Sequence, residues 1–251
     1  MEDAVETIAD WIETGERKYI CCTSVDGVMR SQDDDEARRA HNESGMTVPD
    51  GMPMVWAGRF AGAREISRVY GPDLMERVCS LASKRGWRCF FYGGAPGVPD
   101  ELADRLVERF PGLRIAGTYS PPFRPLTAAE SDEVIKMINS SGAELVWVGI
   151  STPKQELWMS EHVNRLDPPV VMIGVGAAFD IYSGRKRRPP RWLGPLGLFW
   201  LFRLLQEPRR LWRRYLVGNL RFLGAIIRRR PFLRDEVDST RTESREDARP
   251  Q

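Results

Sequence analysis

Three groups of residues in this chain could do chemistry. The first is a carboxylate at a turn, Asp50 in Val48-Pro49-Asp50-Gly51-Met52-Pro53. A positioned aspartate can take a proton from a hydroxyl whose own pKa lies far above neutrality. Pro-Asp-Gly is also an ordinary turn, and on these residues alone the turn is the simpler reading. The second group is Lys154-Gln155-Glu156, which follows Gly149-Ile150-Ser151-Thr152-Pro153. The Gln155 amide can both donate and accept, which suits a ligand rich in hydroxyls. The same residues would serve as a helix start, with Glu156 favoured by the helix dipole and Gln155 exposed. The third group is glycine: Gly93-Gly94-Ala95-Pro96-Gly97 and Gly174-Val175-Gly176 could let the backbone approach a nucleotide, or could simply end strands.

Metal chemistry has little to build on. The four cysteines (Cys21, Cys22, Cys79, Cys89) and two histidines (His41, His162) show no ligand spacing, so structural zinc is not expected. Adjacent Cys21 and Cys22 sit in an apolar run and read as small buried hydrophobes in a reducing cytosol. Asp33-Asp34-Asp35 has a D-x-D spacing, but it precedes a helical run, Glu36–Asn42, where acidic residues are favoured by the dipole.

The elements that must position these residues alternate. Short runs rich in Val, Ile and aromatics predict strands at Lys18–Thr23, Arg88–Tyr92, Leu113–Gly117, Glu144–Ile150 and Pro169–Gly174. Helical patterns lie between them at Pro72–Arg85, Pro99–Phe110, Thr127–Ser140 and Pro153–Leu166. Pro99 and Pro153 suit a first helical position, and Thr127 with Glu130 forms a capping-box signature. The alternation predicts an α/β domain over residues 1–183 with a mainly parallel sheet. In such sheets ligands bind beyond the carboxyl ends of the strands, where the glycine loops fall.

Charge divides the chain. Residues 1–183 hold 19 Lys+Arg and 28 Asp+Glu, whereas residues 184–233 hold 14 Lys+Arg and one acidic residue, Glu207. Within the basic segment Trp212, Leu216, Leu220, Leu223 and Ile227 recur at three- or four-residue spacing, with Arg210, Arg213, Arg214 and Arg221 largely on other faces. This predicts a basic amphipathic helical appendage that lies on an anionic membrane surface. No run is long and apolar enough for an ordinary transmembrane helix, and Met1–Gly15 has no signal-peptide pattern. The polar tail, residues 234–251, is expected to be disordered.

Several motifs carry a resemblance in the same order along the chain. They are Tyr92-Gly93-Gly94-Ala95-Pro96-Gly97, Phe110-Pro111-Gly112-Leu113, Tyr119-Ser120-Pro121-Pro122-Phe123, Gly149 through Trp158, Gly174-Val175-Gly176-Ala177-Ala178-Phe179-Asp180, and a C-terminal set from Gly197-Leu198-Phe199-Trp200 to Arg213-Arg214-Tyr215. From about Tyr19 to about Leu223 the chain resembles the WecG/TagA/CpsF glycosyltransferases. The resemblance implies a Rossmann-like sheet flanked by helices. It implies an inverting, metal-independent transfer from a UDP-sugar to a polyprenyl-diphosphate-linked saccharide, without a cofactor, by a cytoplasmic protein held on the inner face of the cell membrane.

By the same resemblance Asp50 is the base, and Thr23 holds the acceptor, orients Asp50 or merely caps the backbone. Gln155 belongs to the catalytic group. Gly93, Gly94, Lys154, Glu156, Arg203, Arg210 and Arg213 bind substrate, the arginines at the leaving diphosphate. Two positions depart from the family pattern: Val25 where Asn is common, with Ser24 or Asp26 as candidate substitutes, and Phe199 where Glu is usual. A nucleic-acid-binding module using the basic segment is the competing reading, but aromatics among its arginines suit a lipid interface better. A dinucleotide oxidoreductase fits less well, because the Gly93 loop is not G-x-G-x-x-G. Donor sugar, acceptor saccharide and assembly with further copies of the chain stay open.

Overall fold

The computed structural model describes residues 1–229. Helix α1 (Glu2–Glu13) leads into β1 (Arg17–Thr23), followed by α2 (Val25–Asp33), α3 (Asp35–Asn42) and β2 (Met46–Pro49). Next come α4 (Met52–Phe60), α5 (Gly71–Arg85), β3 (Arg88–Gly93), α6 (Val98–Arg109) and β4 (Arg114–Tyr119). Then follow α7 (Ala128–Ser141), β5 (Leu145–Gly149), α8 (Lys154–His162), β6 (Val170–Gly174) and α9 (Ala178–Tyr182). The basic segment supplies α10 (Phe199–Gln206), α11 (Pro208–Trp212) and α12 (Gly218–Arg229), the last two joined through a π-type turn over Arg213–Val217. The fold is α/β and Rossmann-like: one six-stranded sheet of order β2-β1-β6-β5-β3-β4, parallel throughout.

Strand alternation builds two cores. Ile20, Phe91, Trp147 and Ile173 face one side of the sheet with α1, α5 and α6, while Tyr19, Phe90, Tyr92, Val146 and Met172 face the other with α7 and α8. Burial on both faces explains why the central strands read as unbroken apolar runs. Each large side chain so buried contributes roughly 1.5–3 kcal/mol. All four cysteines are free and buried.

All five predicted strands form. β2 was not predicted, being four residues long and carrying Pro49 at its end on a sheet edge, where Pro is tolerated. Helices α1, α2, α4 and α9 were also unpredicted. The capping box at α7 forms as expected, with Thr127 Oγ1 accepting from Glu130 N–H and Glu130 Oε2 accepting from Thr127 N–H at 2.8 Å. Pro153 precedes α8 as its cap instead of occupying the first turn.

Asp34 is the cap of α3, its Oδ1 accepting from Glu36 N–H and Ala37 N–H. Asp33 pairs with Arg221 at 2.7 Å. Asp35 pairs with Arg38 one turn along, so all three carboxylates have structural partners. Among the described residues no helix is long and apolar enough to cross a membrane.

Candidate active site

The site grows from the reversal of chain direction in the sheet. After β3 the chain crosses by α6 on one face to the edge strand β4, then returns by α7 on the other face to β5, which lies against β3 on its opposite side. The carboxyl ends of β3 and β5 flank this switch point, where open α/β sheets place their ligand crevice. Gly93 is buried there. A Cβ on it would lie 2.6 Å from the Gly149 carbonyl carbon, so only glycine allows the two loops to meet. Gly94 N–H donates to the Gly149 carbonyl at 3.1 Å, and Gly94 itself lines the crevice.

The crevice is a cleft of about 1150 Å³ at the carboxyl ends of the strands. Asp50, directly after β2, stands in its wall. Its Oδ1 accepts from Gly71 N–H at 2.9 Å, and its own N–H donates to the Thr23 carbonyl at 3.0 Å. Burial pushes the Asp50 carboxyl above the ordinary aspartate range, against the opposing pull of Gly71 N–H and of Arg203, Arg68 and Arg214. A carboxyl of raised proton affinity and three guanidinium groups thus share one pocket, the kind of perturbed titratable group that clusters at functional sites.

Of the readings of Thr23, the hydroxyl follows the one in which it caps a backbone group. The side chain is buried outside the cleft lining and donates to the Cys21 carbonyl at 3.3 Å. Thr23 orients Asp50 through its backbone carbonyl. Ser24, Val25 and Asp26 line the cleft in its place.

Gln155 is buried, and its Nε2 donates to Glu156 Oε1 at 2.9 Å. Gln155 lines the cleft, and its Oε1 is buried without a partner among the described residues. The expectation that a helix-start Gln155 would be exposed fails, because α8 runs into the core between β6 and α3. Glu156 lies behind the cleft surface, completely buried, and accepts from Thr152 Oγ1 and Gln155 Nε2. It supports the loop and Gln155, and does not reach the cleft. Lys154 is exposed at the cleft lip.

The basic segment closes one side of this cleft. Arg203, Arg210, Arg214, Trp200 and Tyr215 all line it. Arg213 does not: its guanidinium lies 5.2 Å from the Trp212 ring on the outer side of the helix. The inward arginine is its neighbour Arg214, four residues after Arg210, a spacing that puts both on one helical face. Arg214 is held by Asp26 at 3.2 Å. Arg68, in a stretch with no helix or strand pattern, was also missed. It packs over the Phe199 ring at 4.4 Å and the Tyr70 ring at 5.3 Å, so the Phe199 departure supplies an aromatic shelf for a cation.

The segment is fastened to the acidic core. Arg185 pairs with Glu101 at 3.0 Å, Arg188 with Asp73 and Glu76, and Arg221 with Asp33. A chain of alternating charge runs Asp180–Lys186–Glu207–Arg210 at 2.6, 3.0 and 2.6 Å. These pairs hold the basic segment against the core, and residues on both sides of position 183 line the cleft. The expected tail, residues 234–251, lies outside the described residues.

Fold and cleft define an α/β protein with a ligand site at its switch point, equipped with one basic carboxylate and a wall of guanidinium groups. The sequence profile of the glycosyl transferase WecG/TagA/CpsF family matches residues 1–236, and the chain belongs to that family. It is 35% identical over 169 residues to the N-acetylglucosaminyldiphosphoundecaprenol N-acetyl-beta-D-mannosaminyltransferase of Bacillus spizizenii (strain W23). That match takes in 67% of this chain and 63% of the relative, so the chain spans less than two thirds of the relative's length.

Proposed function

We propose that this protein is an inverting glycosyltransferase. It moves a hexose derivative, of the N-acetylmannosamine or hexuronate type, from a UDP-sugar to a saccharide carried on a polyprenyl diphosphate. The product serves cell-surface polysaccharide or teichoic-acid-type synthesis. The observation that carries this reading is Asp50, a carboxyl of raised proton affinity opposite Arg68, Arg203 and Arg214 in the switch-point cleft.

The transfer is one displacement. Asp50 takes the proton of the acceptor hydroxyl as its oxygen forms a bond to the anomeric carbon. The bond from that carbon to the β-phosphate oxygen breaks on the opposite face, and UDP leaves with the electron pair. Arg203, Arg210, Arg214 and Arg68 meet the charge that grows on the leaving diphosphate. Gln155 offers Oε1 to a sugar hydroxyl, and Lys154 stands at the mouth for an anionic group. Gly93, Gly94 and Glu156 shape the loops that hold these groups. No step requires a metal ion.

The cleft works at the cytoplasmic face of the cell membrane. The apolar face of α11 and α12 points away from the core, with Leu220 71% and Ile227 69% exposed. An exposed apolar stripe bordered by arginine suits a lipid interface. The nucleic-acid alternative is disfavoured, because Trp212, Leu216, Leu220 and Ile227 stand exposed among the arginines, and Arg185, Lys186, Arg188, Arg214 and Arg221 are paired to core carboxylates. The test is UDP release from a panel of UDP-hexoses with a short-chain lipid-diphosphate saccharide. Turnover that needs both substrates, inverts the anomeric centre and survives EDTA is expected. A folded protein that binds UDP yet turns over no pair overturns the reading.

A further inference from the structure

We propose that the polyprenyl chain of the acceptor leaves the cleft along one face of α4, a placement that rests on the transferase reading above. The catalytic carboxylate and this helix are joined without a spacer. Asp50 is followed by Gly51, the cap of α4, and the first helical residues, Met52 and Pro53, line the cleft. Met52, Trp56 and Phe60 stand four residues apart, so their side chains share one face of the helix. This stripe begins in the cleft and ends in solvent, with Trp56 49% and Phe60 64% exposed. From Met52 to Phe60 it covers about 12 Å.

The opposite wall comes from the basic segment. Gly194 and Gly197 line the cleft, and the Trp56 ring lies so close over Gly197 that a Cβ there would sit 2.6 Å from its Cη2. Trp192 and Leu196, both exposed, flank these glycines. Trp56 thus packs on the Gly197 wall of the Asp50 cleft, and from there the stripe runs along the surface to Phe60.

Beyond the contact of Trp56 with Gly197, folding accounts for little of the stripe. Val55 is the one buried residue of α4, and an aromatic left half in water contributes little of its apolar transfer energy. A contiguous exposed apolar surface next to a site marks a place for an apolar ligand. The occupant follows from connectivity. The Bacillus relative is named for an N-acetylglucosaminyldiphosphoundecaprenol acceptor, whose saccharide, diphosphate and chain are covalently in line. With the saccharide hydroxyl at Asp50 and the diphosphate among the arginines, the chain must leave by an apolar route that opens to the surface, and α4 supplies one.

The experiment uses the full chain and a series of acceptors with one saccharide-diphosphate head and lipid tails of increasing length, each below its micelle concentration. Wild-type kcat/KM should rise with tail length. In the double variant W56S/F60S the ratio of kcat/KM for the longest to the shortest tail should fall by roughly tenfold or more, mainly through KM, the scale expected for a few buried methylene groups. An unchanged thermal midpoint would show that the variant is folded. A variant that keeps the wild-type ratio overturns the proposal. So does one that keeps the ratio while losing vesicle cosedimentation or self-association, which would make the pair a membrane anchor or a contact between copies. Wild-type turnover with no dependence on tail length sinks the α4 route alone, whereas absence of turnover on every acceptor takes the transferase reading down with it.

Discussion

The helices that flank the sheet and the helix that ends the described chain are both amphipathic, yet they face opposite ways. α5 buries Leu74, Met75, Val78, Cys79 and Ala82, and α6 buries Leu102, Ala103 and Leu106. Across α11 and α12 the apolar positions Trp212, Leu216, Leu220, Leu223 and Ile227 are exposed. The inward face of that region carries Leu211 and Phe222 as its buried hydrophobes, together with Arg214 and Arg221 on core carboxylates. A helix that only stabilised the fold would be turned the other way. Exposed ion pairs are worth about 0–1 kcal/mol each, so these contacts fix position more than they add stability. The difference teaches that the segment is a wall of the cleft on one side and a surface for something apolar on the other.

The largest effect should come from removing that wall. Deleting residues from Gly184 onward takes away Arg203, Arg210 and Arg214 together, and turnover on a water-soluble acceptor should fall by ~10³ or more. Vesicle binding should vanish with it. A truncated protein with full activity on the soluble acceptor would break the comparison and make the segment an anchor only.

Next in size is Asp50→Asn, expected to lower kcat by ~10²–10⁴ while UDP binding persists. Its stability should move the other way. The folded carboxyl binds its proton more tightly than the unfolded one, so ionised Asp50 costs stability at every pH above its raised folded pKa. Asn removes that cost, and Tm should rise at neutral pH. The gain should disappear as pH falls through the folded pKa, where Asp50 is protonated. The acid limb of wild-type kcat/KM should lie above the ordinary aspartate range. A wild-type rate in Asp50→Asn would return the residue to the role of a turn.

Adjacent arginines sharpen the comparison on a single turn of helix. Arg214→Ala should cost ~10²–10³ in turnover on the soluble acceptor. Arg213→Ala should leave that turnover near wild type and weaken binding to anionic vesicles, more so at low salt. Equal losses in both assays for the two variants would mean that inward and outward faces are not functionally distinct. Smallest in its effect on the fold is the pair Leu220→Ser with Ile227→Ser. Thermal unfolding should shift by no more than about 0.5 kcal/mol, because neither side chain is buried. Vesicle affinity should drop. A marked loss of stability would show that these residues pack against something in the protein's own assembly.

Much of the frame was legible from local pattern. Strands β1, β3, β5 and β6 carry apolar runs because their two faces are both covered, and α7 starts at a capping box written in two residues, Thr127 and Glu130. β2 escaped because four residues at a sheet edge have too little period to read. Asp50 was found through its motif, but its raised proton affinity comes from burial, set against the opposing pull of Arg68, Arg203 and Arg214, and both the burial and those arginines depend on residues remote from it in sequence. Arg214 could have been found from its i, i+4 spacing to Arg210; Arg68 has no local signal at all.

By itself the sequence determined the alternation of strands and helices, the glycine loops at their ends, the Asp34 cap that occupies the D-x-D run, and the two faces of the last helix. Only the tertiary structure decided which face turns inward, and so which arginines reach the cleft. It also assigned Thr23 to hold Asp50 by its carbonyl instead of its hydroxyl, and set Glu156 behind Gln155 instead of beside the ligand. The physical reason is range. Caps, turns and periodicity act over about four residues, whereas the contact that orients the last helix joins Arg221 to Asp33, 188 positions away. Periodicity gives a helix two faces, and the partner it packs against chooses between them.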